Sequence, residues 1–128
     1  MAYTLNKETT GTFENVVKKV IEELKNEGFG IITEIDLKEK FKEKLNVDFR
    51  NYKILGACNP ALAYKAVQME PNIGVMLPCN ILVQENQHGK VQIASINPLY
   101  SIGITGNEQL EHIASEVSEK LQMIMDRI

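Results

Sequence analysis

The chain has 128 residues, a formal net charge of −3, and a composition that is 44% hydrophobic and 24% charged. This length suits one domain with its own core, and the composition is typical of a globular protein in water. A nucleic-acid-binding surface needs a basic face, which the acidic balance and the alternation of lysine with glutamate disfavour. We therefore expect a single domain over residues 1–128 and no nucleic-acid partner.

The sequence also predicts where the protein resides. Its first residues do not have the charged and then apolar regions of a secretory signal. No apolar run approaches the ~20 residues that cross a bilayer. We expect a cytoplasmic protein with no membrane partner, and in that compartment Cys58 and Cys79 would remain reduced thiols.

The first part of the chain alternates strands with a long helix. Residues 3–8 alternate apolar and polar side chains, which predicts a half-buried strand. Thr12 is predicted to cap a helix, and Gly28 to end it with a left-handed backbone. The apolar stripe of this helix is Phe13, Val16, Val17, Val20, Ile21 and Leu24. Residues 29–35 are β-branched and aromatic, and they predict a second strand.

Two shorter helices are predicted from their first residues. Asp36 and Glu39 have the spacing of a capping box, so a charged helix is expected from there to about Leu45. Asn59 is predicted to cap a third helix, with Pro60 at its first position, where no backbone N–H is needed. That helix is expected to run to about residue 70.

Three further strands are predicted by apolar and β-branched runs at residues 52–58, 74–85 and 90–96. The second run is interrupted by Pro78, which implies a bulge or a sheet edge there because proline cannot donate to the ladder. Residues 86–89 are a turn, so the last two strands form a hairpin.

The chain is predicted to end in a long amphipathic helix. Thr105 and Glu108 have capping-box spacing before it. Its apolar stripe is Leu110, Ile113, Ala114, Val117, Leu121, Ile124, Met125 and Ile128. The element order β-α-β-α-β-α-β-β-α predicts an α+β fold, a single, mostly antiparallel sheet with helices packed on one face.

A doubly wound parallel sheet is the alternative fold. The hairpin disfavours it, and so does the absence of a glycine-rich phosphate loop. The Gly28-x-Gly30 step closes a helix instead of opening one, so it does not predict a dinucleotide site.

Two motifs hold both cysteines, Gly56-Ala57-Cys58-Asn59-Pro60 and Leu77-Pro78-Cys79-Asn80. Cys58 is predicted to end a strand directly before a helix N-terminus, a position that favours thiolates and bound anions. Asn59 and the amides after it could hold a carboxylate or a phosphate. The alternative is that Asn59 only caps the helix and Cys58 only packs.

Strand alternation separates the residues of the second motif. Cys79 shares a parity with Ile81 and Val83, so a buried thiol is favoured over a nucleophile. Pro78 and Asn80 face the other way, where a ligand or a second subunit could meet them. Glu34, near a strand end, either lines a cleft or is solvated.

The remaining residues exclude several kinds of chemistry. The two histidines and two cysteines have no metal-ligand spacing, so no metal site is predicted. No serine–histidine–acid pattern is present, and the sequence specifies no cofactor and no reaction.

We consider three functions. The first is a binding module for a small ligand, with an anion as one candidate. Its cleft would be lined by Thr33, Glu34, Cys58, Asn59, Pro60, Pro78, Cys79 and Asn80. The second is a structural or interaction protein without a ligand, and the third is a thiol-based redox or metal-handling protein in which Cys58 and Cys79 converge.

Four segments together resemble the DUF302 family of bacterial and archaeal proteins, and the likeness extends over residues 5–125. The segments cover residues 28–36, 45–50, 52–60 and 74–80. This family is a domain of unknown function, so the resemblance implies a compact α+β fold and a homodimer but no catalytic residues.

The predicted strands also favour a dimer. If helices cover one sheet face, the other still presents Met76 and Leu82 of the hairpin and apolar residues of strand 29–35. An exposed apolar patch of this kind marks an interface, which two-fold pairing commonly covers.

Overall fold

The computed structural model describes residues 2–128. Its strands are β1 (Thr4–Thr9), β2 (Gly30–Asp36), β3 (Tyr52–Cys58), β4 (Cys79–Glu85) and β5 (Val91–Ile96). Its helices are α1 (Phe13–Asn26), α2 (Leu37–Leu45), α3 (Pro60–Met69), α4 (Pro98–Ser101) and α5 (Glu111–Asp126). Short 3-10 helices cover Pro71–Met76, Gly103–Thr105 and Glu108–Leu110.

The strands form one sheet in the order β1-β5-β4-β3-β2, and each neighbouring pair is antiparallel. The predicted α+β fold is therefore confirmed, and the doubly wound alternative is wrong. The predicted hairpin is the pair β4–β5, in which Ile81 lies opposite Ser95.

The core lies between one sheet face and the long helices. The most completely buried side chains include residues of α1, β3, β4, β5 and α5. They include Val20, Leu24, Leu55, Val83 and Leu121. The two predicted apolar stripes therefore face the sheet, because burying them removes most of their nonpolar area from water.

The predicted helix boundaries follow from local hydrogen bonds. Thr12 accepts the N–H of Asn15 at 3.2 Å, and Asp36 accepts that of Glu39 at 3.0 Å, so both N-caps are confirmed. Gly28 has a φ of 86°, the left-handed conformation predicted after α1.

The strand predicted over residues 74–85 is wrong in its first part. Pro71–Met76 is a 3-10 helix, and β4 begins only at Cys79, after the cis peptide bond between Leu77 and Pro78. Strand alternation therefore does not reach Val75, whose side chain is 84% exposed.

The capping box predicted before the last helix is also wrong. The Thr105 hydroxyl donates to the carbonyl of Ile102 at 2.7 Å, and Asn107 caps the following 3-10 turn by accepting the N–H of Gln109. Gly106, with a φ of 72°, separates the two residues of the expected box, so they do not share one helix start.

The second sheet face, here called the open face, lies opposite the core. The register assigns it Thr4, Asn6, Glu8, Thr33, Ile35, Tyr52, Ile54, Gly56, Asn80, Leu82, Gln84, Gln92, Ala94 and Ile96. Glu8, on the edge strand, is the only charged residue in this set. An apolar row crosses its middle through Ile35, Ile54, Leu82 and Ala94.

Of the two hairpin residues expected to be apolar on this face, Leu82 lies there. Met76 does not, because it belongs to the 3-10 helix and packs against the core.

Among the described residues, no helix has both the length and the apolar character required to traverse a bilayer.

Candidate functional site

The two cysteine motifs lie side by side because β3 pairs with β4. Ala57 is opposite Cys79 in the antiparallel register, and Gly56 is opposite Asn80. Segments some twenty residues apart in sequence thus meet at one end of the sheet, where β3 ends and β4 begins. This end lies beside the first turn of α3.

A depression at this end, which we call the cysteine recess, is lined by Cys58, Asn59, Pro78 and Cys79 of the two motifs. Apolar residues complete the wall: Phe29, Ala57, Leu62, Ala63, Ala66, Ile73, Leu77, Ile102, Ile113 and Val117. Its empty space, counted to the open mouth, is about 430 Å³, and the part that admits a water-sized sphere is about 30 Å³. This small accessible space suits a methyl-sized group.

Asn59 is held in place by the helix that it caps. Its Oδ1 accepts the N–H of Leu62 at 3.3 Å, which confirms the predicted N-cap of α3. Its Nδ2 lies beside Gly28, where an added Cβ would come within 3.2 Å of it. Asn59 thus lies between the end of α1 and the start of α3.

The two sulfurs at the recess are free thiols. Burial and, to a smaller extent, negative charge on Cys58 raise the pKa of the Cys79 thiol from 9.0 to about 11. Cys79 is therefore protonated at neutral pH. Cys79 is half-buried and lies on the same face as the buried Ile81 and Val83, the face that the strand pattern predicts for it.

The other candidate residues lie outside the recess. Thr33 and Asn80 are on the open face, where Thr33 Oγ1 and the Pro78 ring lie over Gly56. Pro60 is exposed in the first turn of α3. Glu34 forms an ion pair with Lys53 at 2.9 Å. Binding roles for these residues remain predictions.

Gly56 makes this arrangement of the open face possible. A Cβ at that position would be 2.8 Å from Cγ of Pro78 and would collide with Thr33 Oγ1. Only a residue without a side chain lets these two groups approach the backbone of β3.

Several wall residues of the recess are missing from the candidate set that the sequence gives. Ile113 and Val117 are recognisable in the apolar stripe of α5, but the stripe only assigns them to the core. Ile73 and Ile102 come from a 3-10 helix and the end of α4, segments with no periodic pattern. No sequence signal assigned them to this site.

The recess wall has no charged side chain that could pair with a charged ligand. Apart from the two thiols, no titratable side chain lines it. Within residues 2–128, His, Cys, Asp and Glu side chains nowhere form a group of three or more that could hold a metal ion.

A wider groove, in which about 490 Å³ admits a water-sized sphere, lies between α4 and the first turn of α5. Leu99, Gly103, Glu108 and Glu111 are among the residues along it. Its two carboxylates have no cationic side chain beside them in the groove, and none of the residues predicted for the site reaches it.

Comparison with known proteins identifies the family. The sequence model described as "Domain of unknown function DUF302" matches residues 5–128. No curated protein matches the chain.

One solved structure similar to this fold is that of an uncharacterized conserved DUF302 protein from Bacillus stearothermophilus. It has a TM-score of 0.92 and 26% sequence identity, and the match covers 99% of this chain and 98% of that one. The family match over nearly the whole chain agrees with this shared fold, and we conclude that the chain belongs to the DUF302 family.

Proposed function

We propose that this protein is a binding module that takes the apolar end of a small ligand into the cysteine recess. The observation that carries the proposal is the wall of the recess, which is apolar except for two thiols and one asparagine. Ligand sites are typically concave, largely apolar and equipped with a few polar groups at fixed positions. Asn59 and Cys58 supply such groups beside the first turn of α3.

The same wall favours an uncharged ligand over the anion considered from the sequence. Pro60 has no N–H, the N–H of Leu62 donates to Asn59 Oδ1, and that of Ala63 donates to the Asn59 carbonyl. Most donors of the first helical turn are therefore already used. With no cationic side chain in the wall, an anion would lose its hydration and gain few hydrogen bonds.

The size of the recess limits how a ligand enters. The 30 Å³ that admits a water-sized sphere receives a methyl-sized tip, and the rest of the ligand occupies the remainder of the 430 Å³ up to the mouth. Empty apolar cavities stay dry and bind small apolar molecules, so the tip gains dispersion contacts without displacing ordered water.

Toluene and inorganic phosphate, titrated separately by calorimetry, test this proposal. Toluene offers a methyl group and a flat apolar body, whereas phosphate offers only charge. We expect toluene to bind the wild type and phosphate to give no heat of binding.

Two alanines of α3 provide matched variants for this titration. Ala63 lines the recess, and Ala61 is exposed on the same helix and does not line it. Ala63→Leu fills the recess and is expected to weaken toluene binding, whereas Ala61→Leu leaves it unchanged. Phosphate binding, or equal toluene affinity in the two variants, would contradict the proposal.

We further infer that a second copy of the chain covers the open face. Among the strand residues of this face, only Glu8 is charged; it lies on the edge strand and is paired with Lys90 at 3.6 Å. Arg50 also lies over the face, where it donates to Gln84 Oε1 at 2.9 Å. The apolar row around Leu82 itself carries no charge, so two copies can bury it, and a two-fold axis pairs the row with itself.

Sedimentation velocity tests this assembly. Leu82→Glu places a charge in the middle of the row, and the variant is expected to sediment as a monomer while the wild type sediments as a dimer. Gln68→Glu adds the same charge at an exposed position of α3 and serves as the control. A monomeric wild type, or a dimeric Leu82→Glu variant, would contradict the inference.

A further inference from the structure

The two cysteines lie on neighbouring strands at the same end of the sheet, and no disulfide joins them. Ala57 lies opposite Cys79 in the sheet, and Cys58 is the next residue after Ala57. Strand geometry then sets the Cα atoms of Cys58 and Cys79 about 6 Å apart, within the range that a disulfide spans. Both side chains line the cysteine recess.

Both cysteines border the same recess although strand alternation sets them on different faces. Cys58 is the last residue of β3 and pairs with Gly30, and an extended strand directs its side chain away from that of Ala57. Cys58 and Cys79 nevertheless both line the recess at this strand end, so a disulfide requires the backbone at the end of β3 to rotate. Negative charge on Cys58 is the smaller cause of the raised pKa of Cys79, as expected of thiols at neighbouring positions.

We propose that Cys58 and Cys79 form a reversible dithiol–disulfide pair, which a hydroperoxide oxidises and which then narrows the mouth of the cysteine recess. The chain has no other cysteine. An intramolecular disulfide can therefore join only Cys58 and Cys79.

The oxidation proceeds in two balanced steps. The Cys58 thiolate attacks one peroxide oxygen, the O–O bond breaks, and hydroxide or alkoxide leaves, so that Cys58 becomes a sulfenic acid. Cys79 then loses its proton as its sulfur attacks Cys58 Sγ, the S–O bond breaks, and the hydroxyl leaves as water. Two thiols and one hydroperoxide thus give one disulfide, water, and an alcohol or a second water.

The roles of the two sulfurs follow from their surroundings. Cys79 is protonated at neutral pH because burial raises its pKa, so it is the resolving thiol and not the attacking one. Cys58, beside the first turn of α3, is the thiol that meets the oxidant. A thiol reductant reverses the reaction by attacking the disulfide.

Hydrogen peroxide treatment of the full chain, followed by intact mass measurement and tryptic mapping without reductant, tests the proposal. Trypsin cleaves after Lys65, which lies between the two cysteines, so an intramolecular disulfide joins two separate peptides. We expect the wild type to lose the mass of two hydrogen atoms and to recover it with dithiothreitol.

Serine variants separate the two roles. Cys79→Ser leaves Cys58 without a resolving thiol and is expected to retain an added oxygen that dimedone traps. Cys58→Ser leaves a protonated, half-buried thiol, which is expected to remain unmodified at the same peroxide concentration. Added oxygen on both cysteines of the wild type, a disulfide between two chains, or two unchanged thiols would each overturn the proposal.

The effect on the recess rests on the ligand-binding function proposed above. Oxidised wild type is expected to lose the toluene binding of the reduced protein. If reduced protein binds no toluene, the proposed function fails and the disulfide result still stands. If the disulfide forms and toluene binding is unchanged, the proposed narrowing of the recess is wrong.

Discussion

The two faces of β4 have the same backbone and opposite surroundings. On the covered face, Ile81 and Val83 are 2% and 0% exposed beneath the helices, whereas on the open face Leu82 is half-buried and Asn80 is exposed. The covered face therefore supplies the stability of the fold. The open face keeps an uncharged apolar row through Ile35, Ile54, Leu82 and Ala94 that the helices do not cover, and such a surface is available for assembly.

Adjacent residues of β4 give the largest expected difference between the faces. Ile81→Ala leaves a cavity in the core and should lower the free energy of unfolding by about 2–5 kcal/mol. Leu82→Ala should cost less in the monomer, because its side chain is half-buried. Urea denaturation at several protein concentrations measures both.

The concentration series in that experiment sharpens the comparison. If a second copy covers the open face, the effect of Leu82→Ala varies with protein concentration, and that of Ile81→Ala does not. A larger loss for Leu82→Ala than for Ile81→Ala at the lowest concentration would contradict the assignment of the two faces.

The free energy of unfolding at alkaline pH tests whether the Cys79 thiol is buried on the covered face. The folded pKa of Cys79, about 11, lies above its ordinary value of 9.0, so the unfolded chain loses this proton first as the pH rises. The contribution of Cys79 to the free energy of unfolding, about 2–3 kcal/mol, is thus fully present below pH 9 and is lost as the pH rises through 11.

Cys79→Ala should remove this pH dependence of the unfolding free energy. Cys58→Ala should keep most of it, because burial is the larger cause of the raised pKa. Parallel curves for the wild type and Cys79→Ala between pH 8 and 11 would show that this thiol is not buried as described.

Substitution of a glycine on the open face is expected to give the next-largest loss of stability. Gly56→Ala forces Thr33 and Pro78 away from β3 and should cost about 1–3 kcal/mol. Gly30→Ala is the control, since nothing lies within 4 Å of a Cβ there. Thermal unfolding measures both, and equal losses would contradict the close approach at Gly56.

The smallest effect distinguishes the two asparagines of the motifs. Asn59→Ala removes the cap of α3 and should cost about 1 kcal/mol. Asn80→Ala removes an exposed side chain and should change stability by less than about 0.5 kcal/mol. Urea denaturation of both variants checks this, and the reverse order would remove the capping role from Asn59.

The sequence predicted the covered face well because its signals are local. The stripes of α1 and α5, the caps at Thr12 and Asp36, and the alternation of β4 each depend on residues a few positions apart. Those short patterns determine the helices and strands, and burying their apolar sides determines the layers.

The recess was only partly predictable. Its floor needs Ile73 and Ile102, which no periodic pattern marks, because a 3-10 helix and a short helix supply them. The expectation of one cleft also placed together side chains that the sheet separates. Cys79 and Asn80 are adjacent in β4, so their side chains point to opposite faces of the sheet, and of the two only Cys79 lines the recess.

The most direct test of the account is a toluene titration followed by NMR of methyl-labelled protein. It reports both faces at once, with Ile73, Ile113 and Val117 as probes of the recess and Ile54 and Leu82 as probes of the open face. We predict progressive shifts of the recess methyl signals and unchanged signals from the open face. Shifts confined to the open face would contradict the proposed ligand site.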